Sequence, residues 1–185
     1  DWFFWGKGAC SPMTMPPVFD NSALTPLPAT KSPSQDEKWL GETWSRTPGY
    51  VGTVTATAAH IDGFGHVNNM VYPLWAMEAA WHHSAALGFP FERFQTMGTG
   101  FVISTHEFSY KVPVLKGQTV HVATWIARND GRLRLTRAFE MRLADCGTLV
   151  FTGETLFISI DMQTGKPIRM PRAFAQAYAV ADRQA

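Results

Sequence analysis

Between Met70 and Leu87 the chain carries a helical pattern with almost no polar face. Val71, Leu74, Trp75, Glu78, Trp81 and Ala85 recur at helical spacing, and Met70, Met77 and Ala80 make the flanks apolar as well. A helix apolar nearly all round belongs in an interior. It is predicted to start at Asn68 or Asn69, either of which is a good N-cap. It ends at Leu87-Gly88-Phe89-Pro90, where Gly supplies the C-terminal turn and Pro forbids continuation. No apolar run approaches the ~18 residues that would cross a bilayer. The rest of the chain must therefore build a shell around this helix.

The flanking sequence has the means to do so. Val51 to Thr57 is β-prone and precedes the helix. Four β-type segments follow it: Phe101 to Val112, Thr119 to Ala127, Leu133 to Leu143 and Leu149 to Asp161. Asn129-Asp130-Gly131-Arg132 reads as a hairpin turn, and Asp145-Cys146-Gly147 and Met162 to Pro167 as further turns. A short helix is expected from Ala173 to Ala181. Strand, buried helix, then four strands joined mostly by tight turns predicts an α+β domain. Its antiparallel five-stranded sheet wraps a central helix.

Residues 1–49 read differently. Seven of the twelve prolines fall between Pro12 and Pro48, which makes this stretch a strap or tail and leaves 50–185 as the domain. Ser34 to Glu37 is positioned to cap a short helix through Trp39, Leu40 and Trp44. The aromatic start, Trp2-Phe3-Phe4-Trp5, could sit at a bilayer interface, but with no initiating Met it reads rather as a fragment boundary.

Composition narrows the function classes. A net charge of +1 without a basic run excludes an electrostatic nucleic-acid binder. Charged residues make up only 17%, and seven Trp and thirteen Phe point to surface buried against another subunit. Cys10 and Cys146 form no disulfide framework or zinc pattern, so the chain reads as cytoplasmic.

The stretch His60-Ile61-Asp62-Gly63-Phe64-Gly65-His66-Val67-Asn68-Asn69 packs an acid, two imidazoles and two amides directly before the helix. N–H groups at a helix start can receive a developing oxyanion. The Asp62 carboxylate could attack a carbonyl carbon or take a proton from water. Gly63 and Gly65 would let the backbone approach a substrate closely. The plain alternative is an Asx-turn with a helix cap, His66 being simply hydrogen-bonded. A metal site on His60, Asp62 and His66 is chemically possible, but the spacing follows no common zinc pattern.

This motif, continued by Met70-Val71-Tyr72, closely resembles that of hot-dog-fold acyl-CoA thioesterases of the 4-hydroxybenzoyl-CoA thioesterase-like group. The likeness is greatest to the long-chain acyl-CoA branch, which carries His-x-Asp-x-x-x-His-Val-Asn-Asn. It extends to Phe108-Ser109-Tyr110-Lys111-Val112-Pro113-Val114, to Gly117-Gln118-Thr119-Val120 and to Phe157 through Pro167, covering roughly Tyr50 to Phe174. The resemblance implies a hot-dog fold, a homodimer or homotetramer, and hydrolysis of acyl-CoA to acid and CoA without metal or cofactor, CoA being part of the substrate. It places the catalytic carboxylate on Asp62 and the backbone donor near Asn69. His66 and Asn68 are expected to position substrate or water, and Gly65, Tyr72 and Glu78 to lie along the substrate path. Plant acyl-carrier-protein thioesterases are similar through Asp62 and His66, but their catalytic Asn would fall on Phe64. A carrier-protein thioesterase and a non-catalytic acyl-thioester binder are the alternatives.

Other polar residues admit two readings each. Glu78, on the apolar stripe, is either a second acid at a subunit interface or a structural group, with Arg137 as a candidate partner. His82-His83 reads as a solvated helix flank. Arg128, Arg132 and Arg134 read as solvated strand positions or as phosphate ligands.

Overall fold

The computed structural model describes residues 25–26 and 44–182. The aromatic start of the chain and the expected short helix as far as residue 43 lie outside the described residues; Trp44, where that helix was to end, is in a bend and not in a helix. In chain order the elements are β1 (Thr25–Pro26), β2 (Tyr50–Thr55), a 3-10 turn (Ala58–His60), α1 (Val71–Ala86) and α2 (Phe91–Met97). Then come β3 (Thr99–Tyr110), β4 (Thr119–Asn129), β5 (Arg134–Leu143), β6 (Leu149–Asp161) and α3 (Arg172–Ala177).

The strands form one antiparallel sheet in the order β1-β2-β4-β5-β6-β3. The five long strands wrap α1, which is the hot-dog arrangement. Two residues of the Pro-rich stretch, Thr25 and Pro26, add a short edge strand beside Thr53 and Gly52.

Strand alternation decides what α1 meets. Val120, Val122, Phe139, Met141 and Phe151 point inward and are essentially fully buried, and Val150, the extra residue at the register shift opposite Met141 and Arg142, joins them in the core. With Tyr72, Trp75, Ala76, Ala79 and Ala80 of α1 they form one core. Each such large side chain contributes about 1.5–3 kcal/mol by leaving water. Small alanines on α1 let the helix sit close to the sheet, while Trp75 and Tyr72 fill the space at its start. The next positions along the same strands face outward in two rows, Ala123–Glu140–Thr152–Ser109 and Trp125–Ala138–Glu154–Glu107. Trp44 packs on this outer face against Ala123, Trp125, Ala127 and Ala138.

Several expectations need correction. α1 begins at Val71, not at Asn68 or Asn69, and its N-cap position is Met70, with no side-chain cap of its own. Pro73 then falls in the first turn, where its missing N–H costs nothing. Nor is α1 buried all round: Leu74 and Trp81 are 49% and 41% exposed, leaving a bare stripe on the helix. The helix α2 was not anticipated. Pro90 starts it and Gly98, at φ 60°, ends it in the left-handed conformation. Its Phe94 joins Phe89, Phe101, Phe174 and Tyr178 in a second, aromatic core that closes the far end of the molecule. The terminal helix is shorter than expected.

His82-His83 is no solvated flank. His83 is 5% exposed and its Nδ1 accepts a hydrogen bond from Arg137 Nη1 at 2.7 Å. Arg137, also buried, donates further to Thr124 and Ser84. Burial, and then the Arg137 charge, push the His83 pKa down to about 3, so the ring is a neutral acceptor. Arg128 pairs with Glu154 across the outer face.

Candidate active site

The motif folds as a tight turn clamped at both ends. Ile61 and Val67 form an antiparallel bridge, and within it Asp62 N–H donates to His66 C=O at 3.0 Å. Gly65 N–H returns to Asp62 C=O at 3.1 Å, with Gly65 at φ 83°, a conformation that a side chain would strain. The turn is held to the body by Val67 N–H on Val114 C=O at 2.8 Å and Asn68 N–H on His60 C=O at 2.9 Å. His60 itself caps the 3-10 turn, its Nδ1 accepting from Thr57 N–H at 3.1 Å, and its ring meets Trp75 edge-on.

The Asp62 carboxylate is divided between two tasks. Oδ1 accepts the Phe64 N–H at 2.8 Å, an Asx-turn that fixes the side chain. Oδ2 lies 3.8 Å from His66 Nδ1, beyond hydrogen-bond length, and so keeps its lone pairs available. Only 20% of the Asp62 side chain is exposed, against 36% for His66, which stacks on Phe64 at the tip.

After the turn the backbone approaches α1 through Asn68, Asn69 and Met70. Asn68 Oδ1 accepts the Met70 N–H at 2.8 Å, and Asn68 C=O accepts the Val71 N–H at 2.8 Å. The hydroxyl of Tyr110, at the end of β3, donates to Asn69 C=O at 3.0 Å. Among the described residues the Asn69 N–H has no acceptor. Among the described residues a carboxylate oxygen and a peptide N–H are thus both left without a partner on one short segment. Tyr72 lies beneath, buried, with its hydroxyl accepting the Val114 N–H at 3.2 Å. Its pKa is raised, first by burial, against the lowering effect of the Val114 N–H, and in smaller part by the Tyr110 and Asp62 charges.

The structure therefore brings Asp62, Gly65, His66, Asn68, Asn69 and Tyr72 together. Glu78 stands apart, buried about two turns, roughly 10 Å, further along α1. It acts there on Tyr50, whose pKa burial and then the Glu78 charge push up to about 12. Tyr110 was not read as a site residue, and nothing local marks it. Among the described residues no group of His, Cys, Asp or Glu is arranged to hold a metal. No helix of the described residues is long and apolar enough to cross a membrane.

The turn is a ledge rather than a pocket. Phe64 and Met70 are 87% and 71% exposed, and Leu74, Tyr110, Val112 and Leu115 continue the apolar surface around it. A groove of about 560 Å³ lies instead on the outer sheet face, between Trp125, Ala138 and Glu154. A second recess, of about 290 Å³, lies between Pro48, His83 and Ala181. Neither is lined by a residue of the turn between His60 and Asn69.

A model of the thioesterase-like superfamily matches residues 56–178, from the entry to the turn through to α3. The chain belongs to the thioesterase-like superfamily. Solved structures agree on the fold. A DHNA-CoA thioesterase from Staphylococcus aureus is 27% identical, with a TM-score of 0.64 over 69% of this chain and 87% of that one. A 1,4-dihydroxy-2-naphthoyl-CoA thioesterase from Synechocystis is 16% identical, with a TM-score of 0.63 over 69% and 93%. A putative oleoyl thioesterase from Lactobacillus plantarum is 21% identical, with a TM-score of 0.65 over 74% and 53%. No curated protein matches the chain. Acyl-thioester hydrolysis is the activity common to the thioesterases among these neighbours, although their named acyl groups differ widely.

Proposed function

We propose that the chain hydrolyses acyl-CoA thioesters on the turn between Asp62 and Asn69. The observation that carries this reading is the pairing of a fixed carboxylate, one oxygen still unbonded, with a free peptide N–H a few residues on. The thioester carbonyl oxygen would accept from Asn69 N–H, and its carbon would face Asp62 Oδ2. Either Asp62 attacks that carbon, expelling CoA thiolate and leaving an anhydride that water opens. Or Asp62 takes a proton from water, hydroxide adds, and the tetrahedral intermediate collapses with the proton passing to the leaving thiolate. In both routes charge develops on the carbonyl oxygen, where an oxyanion donor is worth about 3–4 kcal/mol. His66, beside Oδ2, orients the water. Asn68 acts through the backbone, since its amide oxygen is already committed to Met70.

A ledge this open leaves its apolar residues, Phe64 and Met70 among them, bare to solvent and gives an acyl chain no enclosing wall. We infer that a second copy of the chain completes it, so that the working form is a homo-oligomer. Among the described residues β3 is an edge of the sheet, and Val102 and Ile103 on it are exposed along with the bare stripe of α1. Among the described residues nothing pairs with that edge, and a long edge strand is a surface that proteins normally cover.

A panel of acyl-CoA substrates of different chain length and of aryl type, followed by thiol release, tests the reading. Turnover of at least one substrate well above its spontaneous rate is expected. Tight binding of acyl-CoA without turnover of any would instead mark a non-catalytic binder.

A further inference from the structure

On the reading just given, the reaction needs the Asn69 N–H aimed at the carbonyl oxygen, and the backbone around it is unusually well tied. The preceding peptide is held by Val71 N–H on Asn68 C=O at 2.8 Å. The following one is held at both ends: its N–H, on Met70, by Asn68 Oδ1 at 2.8 Å, and its C=O, on Asn69, by the Tyr110 hydroxyl at 3.0 Å. The first two ties are local. The third comes from β3, 41 residues away, and is the one that fixes the segment to the sheet.

From this geometry we infer that Tyr110 is a positioning residue for the oxyanion donor: its hydroxyl locks the Asn69 peptide so that the neighbouring N–H points at the substrate. Its ring is well supported for that task. It meets Tyr72 edge-on with centroids 5.5 Å apart, and Phe151 at 5.4 Å. Tyr72 in turn stacks on Phe151 and takes the Val114 N–H, which joins the start of α1, the end of β3 and β6 in one aromatic cluster. Burial raises the Tyr110 pKa, so the hydroxyl keeps its proton and remains a donor at neutral pH. Because a donor displaced by a fraction of an ångström loses much of its effect only in the transition state, the loss belongs in kcat and not in KM.

Tyr110→Phe keeps the ring and its packing and removes only the hydroxyl. On whichever acyl-CoA the wild type turns over, it is expected to lower kcat about 10-fold with KM within 2-fold. The C=O stretch of an acyl-CoA bound to the non-hydrolysing Asp62→Asn protein reads the polarisation directly. It should lie below the solution value and move back towards it when Tyr110→Phe is added. Unchanged kcat, or kcat and KM shifting together with a lowered melting temperature, would overturn the assignment, the latter by showing a merely structural role. The Asn69 amide supplies a readout independent of turnover. Its ¹⁵N order parameter should be near 0.85 in the wild type and fall in Tyr110→Phe. A wild type that hydrolyses nothing would remove the thioesterase reading, yet the amide measurement would still decide whether Tyr110 holds the peptide. An order parameter unchanged by the substitution overturns the proposal in either case.

Discussion

Lowering the pH should destabilise this protein through one buried ring. His83 is 5% exposed, faces Arg137 Nη1 at 2.7 Å, and has its pKa pushed down to about 3 by burial and then by the guanidinium. In the unfolded chain the same ring titrates near 6.5, so between these values the unfolded state binds a proton that the folded state refuses. The stability tied to His83 is therefore fully present above pH 6.5 and drains away as the pH falls towards 3. Each pH unit in that window costs about 1.4 kcal/mol. Going from pH 8 to pH 5 crosses about 1.5 units of it and should cost about 2 kcal/mol, and reaching pH 4 about 3 kcal/mol. His83→Gln offers Arg137 an acceptor that does not titrate. Urea unfolding of both proteins at pH 8, 6.5, 5 and 4 separates this ring from the rest. His121, whose pKa burial also lowers, is common to both and cancels. The wild-type curve should be steeper by one proton between pH 6 and 4. Parallel curves would show that His83 takes up its proton without penalty, and that Arg137 does not hold it neutral.

Other substitutions probe separate parts of the account. Gly65→Ala meets no atom within 4 Å, so its cost is conformational only, about 1–2 kcal/mol at φ 83°, measurable by denaturant unfolding. Gly153→Ala would place its Cβ 2.6 Å from a Phe108 ring carbon, and should cost about 1–3 kcal/mol by overpacking the inner face. Leu74→Glu, on the bare stripe of α1, should leave the fold intact by circular dichroism. In light scattering it should shift the mass towards monomer, with loss of turnover; an unchanged mass would argue against a partner on that face.

How much of this could be read from residues alone follows from the range of the interactions involved. The strands alternate plainly, and the apolar pattern of α1 is long, so the wrapped-helix architecture was legible. The start of α1 was not. Asn68 does use its side chain on a backbone N–H, as a cap would, but the recipient is Met70, in a turn that precedes the helix. α2 hid because Pro90 was read as ending one helix, when it also begins the next. His83 looked like a polar flank because its burial depends on Gly49, where an added Cβ would meet the ring at 2.3 Å. At the site, Asp62 and the amides are neighbours in sequence and so announce themselves. Tyr110 is joined to them only through the sheet.

Whether Asp62 performs the chemistry on a thioester is tested most directly by kcat of wild type against Asp62→Asn on the preferred acyl-CoA. The amide keeps an oxygen to accept the Phe64 N–H, so the turn should persist, which its unfolding midpoint can verify. Asp62→Asn should lower kcat at least about 10³-fold with acyl-CoA still bound. Equal turnover by the two proteins, both folded, would contradict it.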